Sequence, residues 1–458
     1  MALHGGEVSD TRLTTDNPES RRAVKKPSSF TAAPALAEPS THPIFSLMHW
    51  LGLAELLILA LLADGLFRKL GVPGLIGMLL VGVVLGASGL NALDPKLLAM
   101  SGDMRQMALI VILLRVGFGL NLQTLRSVGK RVLLLAWVPA ACEGLTVTIV
   151  AQPLLGLSLL EAGLLGSVIA AVSPAVVVPL MLRLIEEKRG TQKAIPQMVM
   201  AAASLDDIAV IVANGILLGL LVETSSSFTG NIVGLPIGLA LGAAVGVFLG
   251  WLLLKGFERF QPNANRQVLL ILGMALLLLR LQGQINGLVP FTGLVSAIAI
   301  GVTILELSEN TAHAIARKLA SIWVFAELLL FVLVGAQLNL DVALKSGLAG
   351  FAVLAIGLVV RAAATWTCLS GSTLTAGEKC FVTAAYIPKA TVQAAIGAVP
   401  LMTMQAAGLS TQPGEVILAV AVLSIITTAP LGAWLSSWLA SKVLKPDVPE
   451  LQNAETTC

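Results

Sequence analysis

The sequence predicts an all-α polytopic membrane protein of about 13 transmembrane helices, built as two six-helix inverted-topology repeats with two crossed discontinuous helices. Three observations carry that expectation. Of the 458 residues, 56% are hydrophobic and only 12% are charged, against about 25% charged in an average soluble domain. Long apolar segments follow one another with only short polar or Gly/Pro-containing breaks between them. Short motifs in the first half recur in the second at a nearly constant offset.

In order, the apolar segments fall at about 44–67, 72–90, 104–122, 132–156, 159–182, 194–222, 231–256, 267–284, 289–305, 317–338, 346–371, 379–404 and 414–440. Most approach or exceed the roughly 20 residues that a helix needs to cross a bilayer core of about 30 Å. Residues 1–43 precede them as a tail rich in Ser, Thr, Pro and charge, with Arg21, Arg22, Lys25 and Lys26 clustered and no apolar core of a signal peptide. Residues 44–442 form one membrane domain: repeat one at 44–222, a linker helix at 231–256 and repeat two at 267–440. Residues 443–458 are a short C-terminal tail. The net charge of +3 gives no reason to expect nucleic acid. Cys142, Cys368, Cys380 and Cys458 show neither metal-ligand spacing nor a disulfide framework.

The repeat is visible in two places. VPGLIGMLLVGVVLG from Val72 resembles VPFTGLVSAIAIG from Val289, 217 residues later, and VGFGLNLQTL from Val116 resembles VGAQLNLDVAL from Val334, 218 later. That offset is an odd number of spans, so every repeated helix reverses direction, a pattern common in secondary transporters. Proline breaks also correspond. SPAVVVP holds Pro174 and Pro179, and IPKATVQAAIGAVP holds Pro388 and Pro400, with Pro174 and Pro388 aligned at an offset of 214. Interior proline removes a helical hydrogen bond, and paired breaks predict discontinuous helices whose free ends line a site. Lys389 is expected there, with its ammonium beside the exposed carbonyls of the broken partner helix.

Asp206 and Asp207 stand in mid-segment in AIPQMVMAAASLDDIAVIVANGILLGLLV with no compensating charge beside them. A mid-membrane carboxylate costs at least about 2.5–3.5 kcal/mol on insertion scales, so two together point to a cation or proton site. Their repeat positions are Leu423 and Ser424, so the scaffold is duplicated while the acidic centre exists once. Hard cations such as Na+ and Li+ favour oxygen ligands, and the hydroxyls of Ser173 and Ser204 are candidates. Glu143 and Arg361, 218 residues apart, are expected to form an intramembrane ion pair, since each is otherwise an unpaired charge in an apolar run. Arg115 and Glu327 are expected to form a second, structural pair, and Glu55 to be solvated or to face a dimer partner.

Together SPAVVVP (173–179), AAASLDDIAVI (201–211) and PKATVQAAIG (388–397) resemble the cation:proton antiporter superfamily, above all the sodium/proton antiporters of solute carrier family 9, subgroup B, and their bacterial relatives. The resemblance runs from about Val72 to Trp438. It implies a non-enzymatic, cofactor-free carrier that exchanges Na+ or Li+ for H+ as a homodimer, with a dimerisation domain and a mobile six-helix core. Asp207 would be the cation ligand and proton carrier, with Asp206 beside it. Val172, Ser173 and Pro174 would support the ion at the crossing next to Lys389, and Glu143 with Arg361 would match the group's intramembrane ion pair. Related electrogenic antiporters carry lysine at the place of Arg361, and electroneutral ones often carry asparagine at that of Asp206. K+/H+ exchange and a cation channel are the alternatives. An intramembrane aspartyl protease is disfavoured, because adjacent helical residues diverge by about 100° and its two acids must face each other.

Loop charge predicts orientation. Leaving out Arg115, Arg361 and Lys389, the loops after odd-numbered segments and the C-terminus carry 17 Lys/Arg, whereas those after even-numbered segments carry only Lys96, Arg105, Arg280 and Lys345. The positive-inside rule then puts the C-terminus in the cytoplasm and the N-terminus outside. A multi-pass protein of a plasma or bacterial inner membrane is expected.

Overall fold

The computed structural model describes residues 43–93, 95–119, 130–222, 228–285 and 291–444. The chain divides into two compact units, Met1–Ser46 and Leu47–Cys458; only Pro43–Ser46 of the first is described, and the fold below is that of the second. The N-terminal tail, residues 120–129 with the end of the VGFGLNLQTL motif, and the C-terminal tail beyond Leu444 lie outside the described residues.

Every described element is helical. The helices are α1 (Pro43–Lys69), α2 (Gly74–Leu85), α3 (Pro95–Gly119), α4 (Lys130–Leu155), α5 (Leu159–Ile169), α6 (Pro174–Glu186), α7 (Ile195–Val222), α8 (Phe228–Phe260), α9 (Ala264–Ile285), α10 (Gly293–Leu307), α11 (Glu309–Ala336), α12 (Leu340–Cys368), α13 (Ala376–Ala385), α14 (Thr391–Gly397), α15 (Val399–Ala406) and α16 (Gln412–Val443). Among the described residues, eight helical stretches are long and apolar enough to cross a membrane. The chain is all-α, as its composition requires. Backbone polar groups in hydrocarbon have no water to bond, and a helix satisfies them within its own segment.

Two packing groups emerge. Helices α2, α3, α8, α9, α10 and α11 pack on one another, as do α4, α5, α7, α12, α13 and α16. The short α14 touches α3 and α11 of the first group and α7 and α16 of the second. In a bilayer, helices associate by close van der Waals contact rather than by hydrophobic exclusion, which favours small residues at the seams. The α8 face Gly242, Gly246 and Gly250 lies on Thr292, Ser296 and Thr303 along α10, and a Cβ on Gly246 would run into the Ser296 carbonyl. The Ser296 hydroxyl donates to the Gly242 carbonyl at 2.7 Å. Elsewhere Gly117 of α3 leaves room for the Ile298 carbonyl of α10, and Gly335 of α11 for the Leu79 carbonyl of α2. Gly117 and Gly335 are 218 apart, and Leu79 and Ile298 are 219 apart. The two contacts are thus the same contact made with the halves exchanged.

Both discontinuous segments are present, and each opens with a capping box: Ser158 with Glu161 before α5, Thr375 with Glu378 before α13. These caps are 217 residues apart. Each satisfies two backbone donors that a helix start leaves unpaired. The breaks run over 170–173 and 386–390. One expectation is corrected in detail: Pro174 is the first residue of α6, whereas its structural counterpart at the start of α14 is Thr391, and Pro388 lies within the break. The true offset is 217, like the others, rather than 214. A proline that opens a helix and one that prevents a helix from starting look alike in sequence. The second segment is interrupted once more, at Ala398 before Pro400.

Arg105, counted above as a loop residue, lies inside α3 and is buried. Its guanidinium donates to the Gln337 amide oxygen at 2.5 Å, the Ser101 carbonyl at 3.2 Å and the Met402 sulfur at 2.9 Å. Cys142, Cys368 and Cys380 are free thiols.

Two predictions follow from this packing. Gly246→Val should cost about 1–3 kcal/mol by overpacking the α8–α10 seam, read as a lower thermal midpoint in detergent. At the start of α13, burial pushes the Glu378 carboxyl up, but hydrogen bonds from the Lys193 ammonium at 2.8 Å and from Thr375 outweigh it and hold the group below the usual carboxylate range. A carboxyl depressed in the folded state contributes stability above its unfolded value of about 4.3 and loses it as pH falls through the folded value. Glu378→Gln, which keeps a capping residue, should therefore lower the midpoint at neutral pH and converge on the parent in that acidic window.

Candidate functional site: the crossing of the broken helices

At each break the chain stops being helical and must find new partners for its backbone. The residue before a proline is held extended, so Ser173 has φ −91° and ψ 112°, and α6 starts at Pro174, which has no N–H to leave unpaired. The two breaks cross there. The Ser173 amide donates to the Pro388 carbonyl at 2.8 Å, the Ser173 and Thr391 hydroxyls lie 3.2 Å apart, and the Thr391 amide donates to Ser173 Oγ at 3.3 Å. Thr391 stands 218 residues from Ser173. The Lys389 amide is held by Thr428 Oγ1 of α16 at 2.9 Å.

The carbonyls at the C-terminal ends of α5 and α13 are satisfied by two side chains. Gln393 Nε2 donates to the carbonyls of Val168, at 3.1 Å, and Ala171, at 2.9 Å. Arg361, 1% exposed, reaches from α12 to both ends: Nη1 donates to the Ala170 carbonyl and Nε to the Tyr386 carbonyl at 2.9 Å. The same guanidinium binds two acids, Nη1 to Glu143 Oε2 at 2.7 Å and Nη2 to Asp206 Oδ2 at 2.8 Å. Its Cζ lies 5.4 Å from the centroid of the Tyr386 ring.

The expected contact between Glu143 and Arg361 is therefore present, but within a larger network. Lys389 was expected at free carbonyls; instead its Nζ binds Glu143 Oε2 at 2.6 Å. Arg361 takes the carbonyls because a planar fork of five donors can serve several acceptors at once, whereas an ammonium is a compact point charge. Asp206 is committed as well: Oδ2 also accepts the Val172 amide at 2.8 Å. Asp207 differs. It is 1% exposed, and neither carboxylate oxygen has a hydrogen-bond partner. Ser204 donates to the Met200 carbonyl of its own helix at 3.0 Å.

Three buried acids (Glu143, Asp206, Asp207) thus face two buried bases (Arg361, Lys389). One negative charge is left over, and it falls on the carboxylate without partners. Burying an uncompensated charge is costly, so the centre is chemically suited to take up a single cation or proton.

Arg115 and Glu327 make no direct ion pair, but their charges remain within electrostatic range of each other. The Arg115 guanidinium lies 5.4 Å from the centroid of Trp323, one turn before Glu327 on α11. An aromatic face is an alternative partner for a buried cation that charge pairing in sequence does not reveal. Glu55 is exposed on α1. Thr391, Gln393, Thr428 and Tyr386 were not singled out from sequence, because uncharged side chains in apolar runs carry no cost that marks them.

A helical bundle with two crossed, broken helices around buried charges is the architecture of an ion-coupled carrier, and comparison with known proteins gives the family. The family described as "Sodium/hydrogen exchanger, transmembrane" matches residues 56–440. The chain belongs to the sodium/hydrogen exchanger family, whose members are integral membrane transporters. It is 34% identical to sodium/hydrogen exchanger 9B2 of Mus musculus, over 81% of this chain and 69% of the relative. It is 31% identical to sodium/hydrogen exchanger 9B1 of Homo sapiens, over 81% and 72%. In fold it is similar to the sodium proton antiporter MjNhaP1 from Methanocaldococcus jannaschii, with a TM-score of 0.74 at 22% identity, covering 87% of this chain and 99% of that one.

The network makes a specific prediction. Glu143→Gln strands Lys389 and should cost about 3–5 kcal/mol, the loss typical of breaking a buried pair. Adding Lys389→Met removes the stranded charge and leaves the Arg361–Asp206 contact intact, so the double variant should be more stable than Glu143→Gln alone. Thermal midpoints of the purified proteins decide it; additive losses would dissolve the pairing.

Proposed function

We propose that the chain is a secondary active antiporter that exchanges Na+ or Li+ for H+ by alternating access at a single aspartate, Asp207. The observation that carries this reading is that, among the described residues, Asp207 is the one buried carboxylate with no hydrogen-bond partner on either oxygen, beside a network whose other charges are spent on one another. A proton and a cation compete for that carboxylate, and neither leaves it bare without cost. Asp206, fixed by Arg361 and the Val172 amide, sets the field around Asp207 rather than serving as a second free ligand. Val172 and Ser173 lie in the adjoining break and Pro174 opens the helix after it; together they supply backbone and hydroxyl oxygens. The contacts repeated with the halves exchanged support an inverted repeat, and with it a site reached from either side of the membrane.

The protein works as a homodimer in the lipid bilayer, with its C-terminus cytoplasmic and its N-terminus outside. With Arg105 buried inside α3, the other basic residues on the side assigned to the exterior are Lys96, Arg280 and Lys345, each within six residues of a helix end, which strengthens the charge asymmetry.

Proteoliposomes with a pH dye and a membrane-potential dye test the reading. Acid should raise the apparent KM for Na+ or Li+ with little change in maximal rate, as competition at one carboxylate demands. Asp207→Asn should abolish exchange while leaving a folded protein. Asp206→Asn should be milder in transport but less stable, since Arg361 loses an ionic partner. Proton-coupled exchange at the parent rate by Asp207→Asn would remove Asp207 from the mechanism.

A further inference from the structure

An apolar groove of about 900 Å³ opens between α4, α5 and α7, about one helical turn beyond Asp206 along α7. Its walls include Trp137 and Leu145 of α4, Leu159 and Gly163 of α5, and Ala209 and Ala213 of α7. No lining residue is ionisable. Both hydroxyls in the wall are already spent: Thr148 donates to the Gly144 carbonyl at 2.7 Å, and Ser167 donates to the Leu164 carbonyl and accepts from Asn214. Nothing in the groove would hold an ion or a polar solute.

The mouth is continuous with a membrane-facing surface. Trp137, Leu145 and Leu159 are 56%, 65% and 67% exposed, on helical stretches long and apolar enough to cross a bilayer. Apolar cavities of only about 150 Å³ stay dry and take up apolar guests, and this volume is in the range of pockets that bury whole small molecules, about 300–1,000 Å³. We infer that the groove is a binding site for a phospholipid acyl chain entering sideways from the bilayer. The chain would rest against Ala209 and Val210, the residues two and three beyond Asp207, and against Ala170, whose carbonyl Arg361 binds. It would brace α7 on the face that carries Asp206, about one turn beyond the ion site.

The test uses the full chain in phosphatidylcholine vesicles containing a small fraction of lipid with a diazirine in its acyl chain, irradiated and mapped by mass spectrometry. Adducts should concentrate on groove residues of α4, α5 and α7, above the yield at outward apolar residues such as Leu269 and Leu348, which are 64% and 85% exposed. Two substitutions fill the groove. Ala141→Phe acts from an exposed wall position, and at Gly163 an added Cβ meets only Leu217 side-chain atoms, at an ordinary 3.5 Å, so Gly163→Phe starts without a backbone clash. Each should cut the groove adducts severalfold and leave those at Leu269 and Leu348 unchanged. Groove yields no higher than at those two residues, or insensitive to both substitutions, would overturn the proposal. Labelling needs no transport, so its outcome is independent of whether Asp207 carries the exchanged ion.

Discussion

A helix broken inside a membrane leaves carbonyls that no water can reach, and the Arg361 guanidinium is where this chain resolves that problem. One side chain closes the C-terminal ends of both broken segments, at Ala170 and Tyr386, and pairs with Glu143 and Asp206 at the same time. Four acceptors from separate parts of the chain therefore have to meet around one planar group. The positions of α4, α5, α7, α12 and α13 at the crossing follow from that requirement. Lysine, with three donors on a flexible stem, could not span the set.

The same network explains how two adjacent aspartates acquire different chemistry. Successive residues on a helix point about 100° apart, so Asp206 and Asp207 meet different surroundings. Asp206 faces Arg361 and the Val172 amide, and its charge is used in holding the crossing together. Asp207 has no such partner and is just as buried. On the proposed reading, a structural acid beside an unspent acid lets the site lose or gain a proton or cation without dismantling the scaffold. It also ties the site to the break in α5–α6, because the amide that fixes Asp206 belongs to the break itself.

The two packing groups give that local chemistry a mechanical setting. Glycine seams on α8–α10, α3–α10 and α2–α11 hold the first group by backbone contact, which leaves little room for sliding. The second group is held at its centre by charge and by backbone bonds across the breaks. Arg105, with an amide, a carbonyl and a sulfur as partners and no carboxylate among them, touches Met402 of α15 from α3. It joins the first group to the second broken segment with bonds weaker than an ion pair.

The sequence by itself determined the fold class, the family and the place of the acidic centre. Apolar segment length, the 217-residue offset and the cost of mid-membrane charge each act locally, and each leaves its mark in residue types. For the same reason the contact of Glu143 with Arg361 was legible: two isolated opposite charges at equivalent repeat positions need each other. The tertiary structure alone decided the rest of the wiring. Whether Lys389 meets carbonyls or Glu143, whether Arg115 reaches Glu327 directly or rests on the face of Trp323, and which aspartate is left without a partner depend on side-chain reach and on donor count at a shared point. So does the alignment of the two breaks, where one proline opens a helix and the other delays one. Sequence records which groups need partners; only packing settles which partner each one gets.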